Sequence, residues 1–286
     1  MIQAIIFPCN IFSLQEVDFD FQNEYTAAIE VDGFEIYFYD YEQFVRDGIL
    51  RLNRRPEEKI SAVLRGWMLN AELYERFYNF LLERNINLIT NPEQYRMMHL
   101  FPNVYPLIEQ DTPGILVYPE CENNSKISLS EIKTKFNRFM IKDFVKSEKG
   151  TDFPKFFDSS ISEEDFSYWL KVFREYRGKL FTGGFCIKEF VDLRKYGERT
   201  NEWRVFYLNG NIISVSKNSG QPDFASEVPK SLIEKYKNLP SPFYTVDYAE
   251  LSDSNWKILE AGDGQVSGLS DRQDAMAFFR TIQVGA

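Results

Sequence analysis

The C-terminal third of the chain places the tightest constraint on the fold. Apolar and polar residues alternate from Trp203 to Leu208, Asn209-Gly210-Asn211 supplies a turn, and the alternation resumes from Ile212 to Ser216. That is the pattern of a β-hairpin. Phe243 to Leu251 and Asn255 to Ala261 repeat it around Asp253-Ser254. Helical patterns fall between and after these hairpins, over Pro229 to Lys237 and over Ser270 to Arg280, the latter carrying Ala275, Ala277, Phe278 and Phe279. Strand-rich segments interrupted by helices specify an α+β fold rather than a regular βαβ array.

The middle of the chain has the same character. Ile115 to Tyr118 reads as a strand, Ser128 to Phe136 as a short helix and Gly184 to Val191 as a strand. Ser162-Glu163-Glu164-Asp165 opens an amphipathic helix to Tyr176, with Phe166, Trp169, Leu170 and Phe173 on one stripe and Arg177-Gly178 as its stop. Between these, Arg138 to Lys146 reads as a strand whose alternation places Met140, Lys142, Phe144 and Lys146 on one face, before a loop over Ser147 to Thr151.

Nearer the start, Ala4 to Phe7 is strand-like, and Thr26 to Val31 and Phe34 to Tyr39 predict a hairpin around Asp32-Gly33. Apolar residues spaced by three and four between Ile60 and Leu82 predict a helix, followed by a short buried strand over Asn85 to Ile89. Asn91-Pro92 then starts a helix as N-cap and first residue, with Tyr95, Met98 and Leu100 inward. This part reads as a small α/β domain.

A length of 286 residues suits about two average domains. Lys and Arg total 33 and Asp and Glu 43, a net charge of −10 that disfavours a nucleic-acid partner. The 26 Phe and 16 Tyr indicate dense packing rather than disorder. One histidine, His99, excludes sites built on two imidazoles, and Cys9, Cys121 and Cys186 cannot form a zinc quartet, so any metal must rest on oxygen. No secretory signal, long apolar span or regular cysteine spacing is visible, which predicts a cytoplasmic protein with no membrane attachment.

Two constellations carry chemistry. With a turn at Asp253-Ser254, Asp247 lies opposite Glu260 on one sheet face, and Asp263 follows in Gly262-Asp263-Gly264-Gln265. Opposed carboxylates destabilise a sheet unless a cation is shared, so they read either as a magnesium site or as two solvated acids. Lys142 and Lys188 each project from an otherwise apolar strand, and six basic residues lie between Lys133 and Lys149. That cluster reads either as a polyphosphate site or as an edge strand protected by lysine. Arg204, alternating with Trp203 and Val205, is placed either to clamp a phosphoryl group or to pair with Glu202 or Glu260. His99, between Met98 and Leu100, reads as structural.

In order and context these segments resemble the ATP-grasp superfamily: Phe139-Met140-Ile141-Lys142-Asp143, Cys186 to Val191, Glu202 to Phe206, Val246-Asp247 and Trp256 to Gly264. Glu260 to Leu269 resembles a phage and bacterial clade of it. The resemblance implies two α+β lobes enclosing ATP, over 113–187 and 188–286, preceded by an α/β domain over 1–112. It implies that Lys142, Lys146 and Lys188 hold the nucleotide, that backbone at Glu189, Phe190 and Val191 meets adenine, and that Asp247 and Glu260 carry Mg2+. The family's usual Asn two residues after the glutamate is replaced by Gly262, with Asp263 as the candidate substitute. The implied activity is an ATP-dependent carboxylate–amine ligase working through an acylphosphate, with Lys142 and Arg204 catalytic and small-molecule or peptide acids and amines as substrates. The alternatives are ATP-dependent phosphoryl or nucleotidyl transfer to another acceptor, or a silent nucleotide-binding module. Oligomeric state has no signature.

Overall fold

The computed structural model describes residues 2–120 and 127–285, so Cys121 lies outside the described residues. The first sheet contains β1 (Ala4–Asn10), β2 (Ser13–Val17), β3 (Glu35–Tyr39), β4 (Ile60–Leu64) and β5 (Ile86–Leu88). β1 is apolar on both faces and both are covered, the condition of a central parallel strand. β3 and β4 flank it in parallel, β5 runs parallel beyond β4, and β2 folds back antiparallel at its end. Helix α1 (Gln22–Glu30) contributes Ala27 and Ala28 to the core on one side, while α2 (Tyr41–Asp47), α3 (Ala71–Leu82) and α4 (Pro92–His99) bury Phe44, Phe77 and Tyr95 in another.

Two sequence expectations fail in this sheet. Thr26 to Val31 belongs to the end of a helix, so the turn at Gly33 (φ +101°) joins helix to strand and the hairpin does not exist. The β-branched residues suggested a strand, but the adjacent Ala27 and Ala28 are what pack. Ile60 to Leu82 is likewise not one helix. Its first five residues are a buried parallel strand whose continuous apolar run has no helical face, and the helix starts only after Asn70, whose side chain accepts from Leu73 N. Asn91 caps α4 as expected, within a full capping box with Gln94.

Helix α5 (Phe101–Ile108), which two prolines hide from the periodicity, leads into the second sheet. There β6 (Ile115–Pro119), β7 (Arg138–Asp143), β8 (Phe157–Asp158) and β9 (Gly184–Glu189) pair in the order β6-β9-β7-β8. Helices α6 (Leu129–Lys135) and α7 (Glu163–Arg177) cover one face through Ile132, Phe166, Leu170 and Phe173. β7 ends at Asp143, short of the expected Lys146. The Asp143 carboxylate accepts from Val145 N and Lys146 N at 2.7 and 2.6 Å, turning the chain, while its other oxygen takes Arg177 Nε at 2.9 Å. β9 also stops early, at Glu189 rather than Val191.

A ribbon of β10 (Lys195–Tyr196) and β11 (Arg199–Thr200) precedes the third sheet, ordered β13-β12-β14-β15. Its strands are β12 (Glu202–Leu208), β13 (Asn211–Lys217), β14 (Phe243–Glu250) and β15 (Trp256–Asp263), all antiparallel. Both hairpins form at the expected turns. Helix α8 (Lys230–Lys235) stops short of the expected Lys237, and α9 (Ala275–Val284) begins after the Asp274 cap rather than at Ser270. Phe206, Phe243 and Phe278 share a core with β1 and α1, so the third sheet is fused to the first domain. No helix among the described residues is long and apolar enough to cross a membrane.

Candidate active site

Lys142 faces Cys186 and Lys188 faces Met140 across the β7–β9 pair, so the two ammonium groups lie diagonally on one sheet face. Both side chains are almost fully buried. Lys142 Nζ donates to Glu260 Oε1 at 2.6 Å, and Lys188 Nζ donates to the Leu259 carbonyl. The ring of Phe101 lies beneath both, its centre 4.3 Å from Lys188 Nζ and 5.3 Å from Lys142 Nζ. Burial works against the charge on each lysine. The Glu260 carboxylate overrides that for Lys142 and raises its pKa, whereas Lys188, buried beside the Lys142 charge, is lowered to about 7. Burial alone would push Glu260 up, but Lys142, Lys146 and Lys188 hold it well below the usual carboxylate range. Cys186 between them is a thiol, pushed up to about 11 by burial.

Asp247 stands opposite both Glu260 on β15 and Arg204 on β12. Arg204 closes a bidentate pair on it, Nε to Oδ1 at 2.8 Å and Nη2 to Oδ2 at 2.7 Å, and donates Nη1 to the Gly268 carbonyl at 3.0 Å. A bulge directly after Asp247 keeps the strand in register with Glu260 on one side while shifting it on the other. Lys142, Glu260, Asp247 and Arg204 therefore form a line of alternating charge across two lobes. Two carboxylates on neighbouring strands are a donor set that fits Mg2+, which is typically held by one or two carboxylates together with substrate phosphates.

Asp263 occupies a different position. Its Oδ1 accepts from Gln265 N and Nε2 at 3.0 and 3.2 Å, and Gln265 Nε2 also donates to Tyr74 OH at 2.8 Å, so this carboxylate is turned toward the first domain rather than toward Glu260. Its Oδ2 is buried with no hydrogen-bond partner, and burial raises its carboxyl to about 7. Among the described residues no three His, Cys, Asp or Glu side chains converge to hold a metal. The expected six-residue basic patch is also dispersed. Lys133 is bound to the Ile161 carbonyl at 2.6 Å and Arg138 to Asp192, leaving Lys142, Lys146 and Lys149 at the cleft. At the interlobe hinge, Glu189 N and Phe190 N donate to the Gly114 and Arg138 carbonyls, and the Phe190 ring stacks on Phe156 at 4.4 Å. Val191, beyond the strand, lines the cleft.

Two cavities open here. The larger, about 460 Å³, runs along β9 past Lys188 and Val191; the smaller, about 120 Å³, lies against Met68 and Val266. They share Lys142, Lys146, Arg204, Asp247 and Glu260. Residues 131–282 match a family model described as an ATP-grasp domain, the third family of its clade. The chain belongs to the ATP-grasp family. The same fold recurs in D-cycloserine synthetase DcsG (TM-score 0.61, 15% identity, 99% of each chain). It also recurs in D-alanyl-alanine synthetase A from Vibrio cholerae O1 biovar eltor (TM-score 0.61, 10% identity, 100% of this chain and 99% of that one). The ATP-grasp ligase PsnB, solved with a phosphomimetic variant of its minimal precursor, Mg and ADP, is similar at TM-score 0.57 and 11% identity over 99% and 97%. No curated protein sequence matches at a significant level.

In this ATP-grasp chain Gly262 faces a small gap. A Cβ placed there would meet Thr245 Oγ1 at 3.6 Å and Ser267 Oγ at 3.7 Å, ordinary contacts, and those two hydroxyls bond each other at 2.9 Å. Sequence reasoning missed Phe101, Met68, Thr245 and Ser267, which carry no charge signal. It also missed Arg65, whose burial against Glu24 depends on two distant segments meeting. His99, buried and stacked on Tyr95 at 4.7 Å, is lowered to about 4 by burial and by Lys146, so it lines the smaller cavity uncharged.

Proposed function

We propose that this ATP-grasp protein is an ATP-dependent carboxylate–amine ligase. The observation that carries the reading is the junction of the two cavities at Lys142, Lys146, Arg204, Asp247 and Glu260. The larger cavity has the volume and apolar walls, including Met140 and Leu259, for a nucleotide base, and the smaller begins where its terminal phosphate would lie. Asp247 and Glu260 would hold Mg2+, which when bound supplies charge neutralisation for the phosphates.

The protein's own groups account for the remaining chemistry. Lys142 and Lys146 line both cavities, so they can hold the terminal phosphate and draw in an acceptor carboxylate. A carboxylate oxygen attacks the γ-phosphorus in line, the bond to the β-phosphate oxygen breaks, and ADP leaves with an acylphosphate formed. An amine then attacks the acyl carbon and phosphate departs. Arg204, oriented by its bidentate pair with Asp247, is placed to stabilise the transferred group and the tetrahedral intermediate. No side-chain nucleophile is required, in keeping with a thiol at Cys186 and an uncharged His99.

Product analysis tests the reading. Purified protein with Mg2+, ATP and mixed acids and amines is expected to release ADP and phosphate in step with amide formation. AMP and pyrophosphate would instead indicate nucleotidyl transfer, and ATP binding without turnover a silent binding module.

A further inference from the structure

The smaller cavity has a size, a polarity gradient and a fixed back wall. At about 120 Å³ it is smaller than a cavity of roughly 150 Å³ that takes benzene, a molecule of six carbons. One end is cationic, with Lys142, Lys146 and Arg204; the other is formed by Met68 and Val266, beside the Thr245–Ser267 hydroxyl pair. His99 is uncharged there, and the Asp263 carboxyl is turned toward Gln265, so the far end offers no cation or free carboxylate to a charged substituent.

The wall cannot easily retreat. Residues 264–267 are tied to the first domain from several directions: Arg65 donates to the Gly264 and Ser267 carbonyls, Gly66 N donates to the Gln265 carbonyl at 3.1 Å, and Gln265 Nε2 donates to Tyr74 OH at 2.8 Å. Arg65 is itself buried and held by Glu24 through two bonds of 2.7 and 2.9 Å. Moving this segment outward would strip partners from a buried guanidinium, which is strongly unfavourable.

We infer that the acid activated in this site is a small free carboxylic acid of about six or fewer non-hydrogen atoms, with a short uncharged substituent lying between Met68 and Val266. This rests on the ligase reading above. A hydrophobic pocket of fixed size discriminates by about tenfold or more for each added methylene, so the wild-type protein should show a sharp size limit. Met68 is 39% exposed, so shortening it enlarges the cavity without opening the core.

The experiment measures ADP release with Mg2+ and ATP over a graded panel: acetate, glycine, both hands of alanine, lactate, then homologues lengthened by one to three methylenes, and dipeptides. Hydroxylamine serves as the common amine. The expected result is turnover confined to the smallest acids, with Met68→Ala raising kcat/KM about tenfold or more for the acid one or two methylenes above the wild-type limit. Equal or better use of long acids or dipeptides by the wild-type protein would overturn the inference while leaving the ligase reading intact. ATP binding with no acid-dependent ADP release across the whole panel would overturn the ligase reading itself.

Discussion

Replacing Lys188 with methionine keeps the length and packing of the side chain but removes an ammonium group held against strong opposition from burial and from Lys142. Its pKa of about 7, against an ordinary 10.5, corresponds to roughly 5 kcal/mol at about 1.4 kcal/mol per pKa unit. The bond to the Leu259 carbonyl and the contact with Phe101 are also lost, so the absolute stability change combines opposing contributions. The pH dependence isolates the ammonium. Between about pH 7 and 10.5 the folded protein has released this proton while the unfolded chain retains it, so the unfolded state binds more protons and wild-type stability rises with pH through that window. Below about pH 7 the full penalty stands. Urea unfolding near about pH 6.5 and about pH 9 should therefore show the stability of Lys188→Met relative to wild type falling by roughly 3 kcal/mol as pH rises. Parallel stability curves would refute the assignment of the buried, depressed lysine. A second arm reads the site: Mg·ATP at about one hundred times its Kd should stabilise the wild type by about 2.7 kcal/mol, and that gain should be largely absent in the variant.

Three further substitutions probe the neighbouring groups. Glu260→Gln removes the charge that keeps Lys142 protonated, so Mg2+-dependent turnover should vanish and Lys142 should become reactive toward amine-modifying reagents, detected by mass spectrometry; unchanged turnover would take β15 out of the mechanism. For Asp263, whose carboxyl holds its proton to about 7 in the folded state and to 3.8 otherwise, stability falls as pH rises through that interval. Asp263→Asn should thus be more stable than wild type near about pH 8, by up to roughly 4 kcal/mol, and little different near about pH 3.5; a constant difference would contradict the burial argument. Gly262→Asn fits the gap beside Thr245 and Ser267 without strain, so the variant should fold normally and bind Mg·ATP more tightly in calorimetry, and weaker binding would show that the gap serves the substrate.

The parts of the fold visible in the sequence are those whose local pattern matches their environment. The hairpins around Asn209-Gly210 and Asp253-Ser254 alternate because one face meets the core and the other meets a cleft or solvent, so even the Asp247–Glu260 register is readable. β4 fails the same test because a strand covered on both faces has no alternation, and its apolar run merges with the helix beyond it. β7 fails at Asp143, where a side chain closes a turn that no periodicity records. At the site, the charged residues are legible as anomalies within apolar strands. Their partners are not: that Lys142 meets Glu260 across 118 positions, or that Phe101 lies under both lysines, is set by how the lobes close.

The charge at the cavity junction argues for the form in which the nucleotide binds. Three cationic side chains, Lys142, Lys146 and Arg204, meet two carboxylates, Asp247 and Glu260, so the junction is close to neutral even though the chain carries −10. A bare polyphosphate entering there would gain the cations but confront both carboxylates at short range, in surroundings that screen poorly. A divalent cation accompanying it would turn those carboxylates from repellent groups into ligands, and would release Lys142 from sole duty as the partner of Glu260. Mg·ATP should therefore bind more tightly than ATP in the presence of a chelator, and the advantage should shrink in Asp247→Asn. Equal binding of the two forms by the wild-type protein would mean that Asp247 and Glu260 do not face the phosphates.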